Sequence, residues 1–458
     1  MYGMKTIFLF IPHYFYSSDL LRTNYIKYLA TKYKVIVFSP IFSLNPIDNY
    51  YQSPNVTYLA CESQYPKFWL FFNKLLRVSL IREFDNLEYH KLRAKTGINL
   101  NWKRKFLKLF SKLIPAPLVT ADFFTKLEKF LLPNSKLFKD YLKRYKPDLI
   151  LTSTPGFSGI ETEAILLAKK NGLKTAAINF SWDNLFNNAK HIRKTDYLIC
   201  WNDAVKKAAQ EIHNYPDSHV FTSGIIRFDH HFVPDFQSKN QTDRRQFLLS
   251  KNLSDSLKTV LFTTVPPQIY PFQPDFLQRL VDLREKNVFG ENFNIYVRLH
   301  PRDEISHYQR FFKEKNIHIE WPGKLKEKQG GDLHKVEMDE SDLENLRKTF
   351  LYSDIAVNFR SSITLETCVY DLPTINLAYN NYTFYYQMDH YIPILKSEAV
   401  KLVENEREFI EAMKNYLKNP KLDSEKRQKI SKEYVPFQDG LSYKRNVDFL
   451  NIIIETTT

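Results

Sequence analysis

Glycine is nearly missing from this chain, with 11 residues in 458. A phosphate cradle made by a glycine-rich loop needs backbone conformations that other residues resist. Neither G-x-x-x-x-G-K-[ST] nor G-x-G-x-x-G occurs, so P-loop and dinucleotide-fingerprint sites are excluded. Cysteine is scarcer still: Cys61, Cys200 and Cys368 are odd in number, far apart and without metal-ligand spacing, and they read as reduced thiols. No D-x-D metal motif and no histidine pair with convincing metal spacing is present. No window approaches the roughly 20 apolar residues of a membrane span. The apolar run Thr6–Pro12 lacks a small-residue cleavage site and reads as a buried strand, not a signal peptide. The expectation is a cytoplasmic protein.

Positive charge, by contrast, is plentiful and uneven. Residues 65–146 carry 19 Lys and Arg against 6 Asp and Glu, which puts net +13 of the chain's +14 into that one stretch. Aromatic residues are also abundant, at 15%.

Apolar runs and helical periodicities alternate along the chain. Strands are expected at Thr6–Ile11, Val35–Phe38, Asp148–Thr152 and Thr175–Asn179, followed by two short ones in "DYLICWN" and "HVFTSGI". One amphipathic helix is expected through Leu20–Leu29, another over about Gly159–Lys170, and a third in "DAVKKAAQEIH". The polar stretch from about Asp229 to Leu257 lacks strand signals and reads as an interdomain linker. A second series follows: strands at 259–264, 294–300, 317–323, 354–359 and 373–378, with helices near Pro274–Glu285 and Ser306–Lys315 and in "ESDLENLRKTFLYS". The fold class is therefore α/β: two Rossmann-like domains facing a cleft, a basic helical insertion in the first, and a C-terminal helix. The expected bounds are 1–235, a linker at 236–257, 258–435, and a terminal helix 436–458 crossing back to the first domain. Ligands of such sheets sit beyond the carboxyl ends of the strands.

Two motifs fall at such ends. In "YVRLHPRD" a strand finishes on His300-Pro301-Arg302, and the proline holds the histidine on a rigid turn where a phosphate leaving group would find donors. In "NFRSSITLETCVYDLPTINL", Ser361 and Ser362 stand where a strand passes into a helix, whose free N–H groups favour an anion. Glu366 lies four residues beyond Ser362 on the same helical face. Each motif has a bland reading, as a strand-ending turn and as a helix cap.

Strand–HP, then strand–SS-x-x-x-E–helix, resembles the C-terminal domain of GT-B fold glycosyltransferases, in particular those using CMP- or CDP-activated donors. These are the CDP-glycerol glycerophosphotransferases, the bacterial polysialyltransferases and the capsule Kdo transferases. The resemblance implies that His300, Ser361 and Ser362 contact the donor phosphate, with Arg302 as a further partner, and that Glu366 contacts the ribose. It implies a transferase that needs neither a metal nor a cofactor and acts on a nucleotide-sugar donor and a glycan or lipid-linked acceptor in bacterial surface-polysaccharide biosynthesis. The basic insertion is not part of that pattern.

An inverting transfer also needs a base for the acceptor hydroxyl. Asp183 in "SWDN" and Glu161 in "SGIETE" rank ahead of Asp19 and His13 in the first loop, and Glu163 is a further carboxylate nearby. Trp182 is read as a sugar platform, whereas Asp19, Glu161 and Asp183 each have a capping or turn alternative. His230 and His231 read as solvated linker residues.

Three readings stay open for residues 65–146: a peripheral surface for an anionic membrane, a guide for a polyanionic acceptor, or helices packed on the first domain with solvated basic faces. No nucleic-acid module accompanies the charge. The rival functions are a UDP-sugar-dependent glycosyltransferase, a nucleotide-sugar 2-epimerase of the same fold, and a non-catalytic glycan- or membrane-binding scaffold.

Overall fold

A computed structural model of the chain describes residues 3–43, 47–63, 136–187, 194–234, 240–267, 269–325, 336–380 and 382–456, with four single positions between 109 and 126. The expected basic insertion lies outside the described residues except for those positions and 136–146, which hold the helix Lys136–Tyr145. Two compact units form, one from residues 1–226 with 441–458 and one from 227–440.

The first unit is a parallel sheet of seven strands: β1 (Thr6–Phe10), β2 (Lys34–Ser39), β3 (Val56–Ala60), β4 (Leu149–Thr152), β5 (Lys174–Ile178), β6 (Tyr197–Cys200) and β7 (Val220–Thr222). Their order is β3-β2-β1-β4-β5-β6-β7. Strands β1, β2 and β4 are continuous apolar runs because both faces are covered. In β1, Ile7 and Leu9 enter one core and Phe8 and Phe10 the other, as the alternation of side chains along a strand requires. The terminal helix Ser442–Glu455 completes the first of these cores with Val447, Leu450 and Ile453, and Phe449 stacks on Phe221 at 4.2 Å. Each apolar side chain so buried contributes about 1.5–3 kcal/mol.

The second unit is built on β8 (Lys258–Thr263), β9 (Phe293–Arg298), β10 (Ile317–Glu320), β13 (Ile355–Asn358), β14 (Thr374–Leu377) and β15 (Lys401–Val403), in the order β10-β9-β8-β13-β14-β15. All of its pairings are parallel. A small antiparallel pair, β11 (Lys324–Leu325) with β12 (Val336–Glu337), stands apart. Helix starts follow their side chains: Thr23, Ser158, Asn202, Asn240, Asp339 and Asn405 each accept a backbone N–H of the first turn.

The structure corrects four of the expectations. The single early helix is two, Tyr14–Leu20 and Asn24–Lys32, because Thr23 caps the second one. Strand β3 carries no strong periodicity and was not expected. The segment near Ser306 is a 3-10 helix, Ile305–Phe311. The polar stretch after Asp229 is not a bare linker: it holds the helix Gln241–Ser250, with Phe247 and Leu248 buried, and follows a 3-10 helix Ile226–His231 in which Phe228 and His231 are buried.

Candidate functional site

In the second unit the chain runs from β8 outward to β9 and β10 on one side, and to β13, β14 and β15 on the other. The direction reverses between β8 and β13, which is where open α/β sheets bind ligands at the carboxyl ends of their strands. In register, Thr263 of β8 pairs with Arg298 of β9 and with Asn358 of β13, so the three strand ends lie side by side.

The His300 turn is tied to β8. Thr264 N–H donates to the Arg298 carbonyl at 3.1 Å, and His300 N–H donates to Thr264 Oγ1 at 2.7 Å. Arg302 N–H donates to His300 Nδ1 at 3.0 Å, and Asp303 N–H to the His300 carbonyl at 2.7 Å. With Nδ1 an acceptor, the proton of the neutral ring sits on Nε2, which is left as a donor. Burial, with the Arg302 guanidinium adding to it, pushes the imidazole pKa down to about 3. Among the described residues no carboxylate pairs with the Arg302 guanidinium.

A buried ionic network stiffens the strand behind this turn. Arg298, at the end of β9, donates to Glu320 and, at 2.9 Å, to Asp342 Oδ2. Glu320 also accepts from the Tyr296 hydroxyl at 2.6 Å and from Lys251 at 3.2 Å. Burial alone would raise the Glu320 carboxyl, but the nearby His318 ring, Arg298, Tyr296 and Lys251 hold it well below the usual range.

Beyond β13, Arg360 N–H donates to the Tyr386 hydroxyl at 3.0 Å, and Ser361 Oγ accepts from Ile363 N–H at 3.3 Å. Ser362 precedes the helix Ile363–Val369 with helical backbone and makes no side-chain cap, so the expected cap is Ser361's bond alone. The Ser362 hydroxyl has no partner among the described residues. Glu366 is buried, and its Oε2 lies 2.9 Å from Nε2 of His231. Burial raises the Glu366 carboxyl, and Arg227, His230 and Arg298 pull against that rise. His231, expected in solvent, is instead a buried partner of this site. The spacing of Phe228, His231 and Phe232 on one turn was the available signal.

In the first unit, His13 starts the helix Tyr14–Leu20 just beyond β1, half-buried, with its ring 4.3 Å from that of Tyr16. Asp19 is buried in the last turn of that helix and caps nothing there; its backbone carbonyl accepts from the Thr23 hydroxyl. Glu161 is fully buried in a capping box with Ser158, and it accepts from Ser153 Oγ and Thr154 N at 2.8 Å and from Ser158 Oγ at 2.9 Å. Burial lifts its pKa to about 7 against those hydrogen bonds. Glu163 is buried on the same helix. Asp183 is half-buried beyond β5 and accepts from the Ser181 hydroxyl. Trp182 is buried, which removes it as an exposed sugar platform. Among the described residues no three His, Cys, Asp or Glu come together in a way that could hold a metal ion.

Two parallel sheets of this topology, the second carrying the His300 turn and the Ser361–Ser362 loop on the strands that flank β8, make up the GT-B fold. The chain belongs to the CDP-Glycerol:Poly(glycerophosphate) glycerophosphotransferase family, whose model matches residues 163–451. It is similar to the wall teichoic acid polymerase TagF soaked with CDPG, at 13% identity over 99% of this chain and 89% of that one, with a TM-score of 0.53. It is likewise similar to S. aureus MnaA with UDP, at 12% over 99% and 97% with a TM-score of 0.52. UDP-GlcNAc 2-epimerase from Neisseria meningitidis, bound to UDP-GlcNAc, aligns at 13% over 98% and 100%, with a TM-score of 0.51. At these identities the likeness establishes the fold. No curated protein matches the sequence. Among the described residues no helix is long and apolar enough to cross a membrane.

Proposed function

We propose that this transferase moves a sugar or polyol phosphate from a CMP- or CDP-linked donor to a bacterial surface glycan or lipid-linked acceptor, at the cytoplasmic face of the membrane. The observation that supports it most is that His300, with its Nε2–H left as a donor, and Ser362, whose hydroxyl has no partner among the described residues, follow the two strands that flank β8. Both are donors, and Arg302 adds a fixed positive charge. Such a set stabilises a departing nucleotide phosphate as its bond to the transferred group breaks. Glu366 meets the ribose, and Ser361 shapes the loop.

On the acceptor side the hydroxyl loses its proton to a base while its oxygen bonds to the transferred group, and the electron pair of the broken bond stays on the nucleotide phosphate. His13 and Asp183, both half-buried beyond strand ends, are the groups for that proton. Glu161 is engaged by its cap and Asp19 is buried inside a helix. A second reading, epimerisation of a free UDP-sugar, draws on the likeness to the 2-epimerase over 98% of this chain.

Calorimetry of the full chain with CMP, CDP, UDP, GDP and dTDP tests the proposal, with His300→Ala and Ser362→Ala beside the wild type. Cytidine nucleotides should bind selectively, and both variants should bind them about tenfold more weakly, the worth of one charge-assisted hydrogen bond. Selective UDP binding with conversion of a UDP-sugar in the absence of any acceptor would favour epimerisation. Heat from no nucleotide would sink the donor site.

A further inference from the structure

His231 is fully buried in the 3-10 helix Ile226–His231, yet both of its ring nitrogens are engaged by residues more than 130 positions away in sequence. Nε2 lies 2.9 Å from Glu366 Oε2, and Nδ1 lies 2.9 Å from the Tyr370 hydroxyl. A carboxylate only accepts, so Nε2 carries the proton and donates to Glu366, and Nδ1 accepts from Tyr370. The ring cannot easily turn. His230, Tyr370, Phe228 and Phe350 pack around it with ring centroids at 3.9, 5.4, 5.5 and 5.8 Å. Arg347 faces the imidazole, and with burial it disfavours a second proton there.

The consequence falls on Glu366. One carboxylate oxygen is fixed by an immobile imidazole, which sets the plane of the group, while no donor reaches Oε1 among the described residues. The residue is only 4% exposed, yet Oε1 is not among the buried atoms that lack a partner, so it keeps access to solvent and to a ligand. A ligand hydroxyl would answer it.

We propose that His231 and Tyr370 are positioning residues that hold Glu366 as a one-oxygen acceptor for a hydroxyl of the donor ribose, and that they thereby give the site its preference for ribonucleotides over 2′-deoxyribonucleotides. The inference rests on the donor-site reading above. A site built to hydrogen-bond a hydroxyl rejects the analogue that lacks it because its own polar group is left unpaired. Glu366 performs that rejection only while its second oxygen is locked.

The test is calorimetric binding of CDP against 2′-deoxy-CDP, and of UDP against 2′-deoxy-UDP, to the full chain. Wild type should prefer the ribonucleotide by about tenfold or more. In His231→Ala the preference should fall to about twofold, through weaker ribonucleotide binding with the deoxy analogue unchanged. His231→Gln, which keeps an N–H near the Nε2 position, should restore most of it. Tyr370→Phe keeps the ring packing and should cut the preference about threefold; it decides the matter if His231→Ala gives no cooperative melting transition. An unchanged preference in Tyr370→Phe, or in a folded His231→Ala, overturns the proposal. So does equal weakening of both analogues, which is what loss of packing alone would produce. Binding of neither nucleotide by the wild type is a different result and strikes the donor-site reading itself.

Discussion

The backbone N–H of Arg302 donates to Nδ1 of His300 at 3.0 Å, two residues back along the chain. That local bond settles which nitrogen of the imidazole faces outward as a donor. His300→Gln, whose side-chain amide can stand in for Nε2–H, should therefore retain more nucleotide affinity than His300→Ala. A calorimetric titration of both checks this, and equal affinity in the two variants would remove Nε2–H from the binding site.

Thr264 is the second support of the same turn. Its hydroxyl oxygen accepts His300 N–H at 2.7 Å, and Thr264→Val leaves that N–H without its partner at about 1–3 kcal/mol. Thr264→Ser keeps the acceptor. Urea unfolding should rank the wild type and the serine variant together, with valine lower.

Three histidines set an acid limit. Burial pushes His300 and His231 down to about 3 from an ordinary value of 6.5, and holds His230 well below its ordinary value. The unfolded chain therefore takes up protons that the folded chain refuses. This contribution to stability is fully present above pH 6.5 and is lost as the pH falls from there toward 3. Urea midpoints should drop between pH 7 and pH 5, and His231→Gln, which removes one of the three groups, should flatten the slope. A slope identical to wild type would show that His231 is not neutral in the folded chain.

Glu161 is separated from the other acceptor-side candidates by what its loss would do. Glu161→Ala removes the acceptor of Ser153, Thr154 and Ser158 together, and should cost about 2–4 kcal/mol. Asp183→Ala and His13→Ala should leave the melting temperature within a few degrees. One of them should lose transfer to acceptor while nucleotide binding persists. Thermal melts paired with nucleotide titrations and a transfer assay make the distinction.

The excess charge of residues 65–146, net +13, should bring the full chain down with vesicles containing anionic phospholipid. About 0.5 M salt should release it, since screening at that ionic strength reaches within a few ångströms. Equal sedimentation with neutral vesicles would rule out an electrostatic attachment.

How much of this was legible in the sequence varies with the range of the contacts. Strands β1, β2, β4 and β9 could be read because burial on both faces makes them unbroken apolar runs. The helix over about Gly159–Lys170 could be read from its apolar pattern, and the Ser158–Glu161 cap that fixes its start is local in sequence. The break at Thr23 was hidden by apolar residues that continue the helical period on both sides. The motif residues His300, Ser361 and Ser362 were readable because turn and cap chemistry is local. Their supports were not: Thr264 reaches His300 across 36 residues and His231 reaches Glu366 across 135, so nothing beside either histidine announces its partner. His231 was misjudged for the same reason, since a polar neighbourhood in sequence says little about a neighbourhood in space.

The first unit is closed by Ser442–Glu455, which puts Leu450 and Ile453 into the same core as Ile7 and Leu9. In biosynthetic terms the second unit is an insertion into an unfinished protein. The sheet of β1 to β7 has to wait, with one apolar face incomplete, until the helix Ser442–Glu455 has followed the whole second unit in synthesis. Emergence of that helix, rather than synthesis of the strands, would then set the moment at which the first unit becomes resistant to protease.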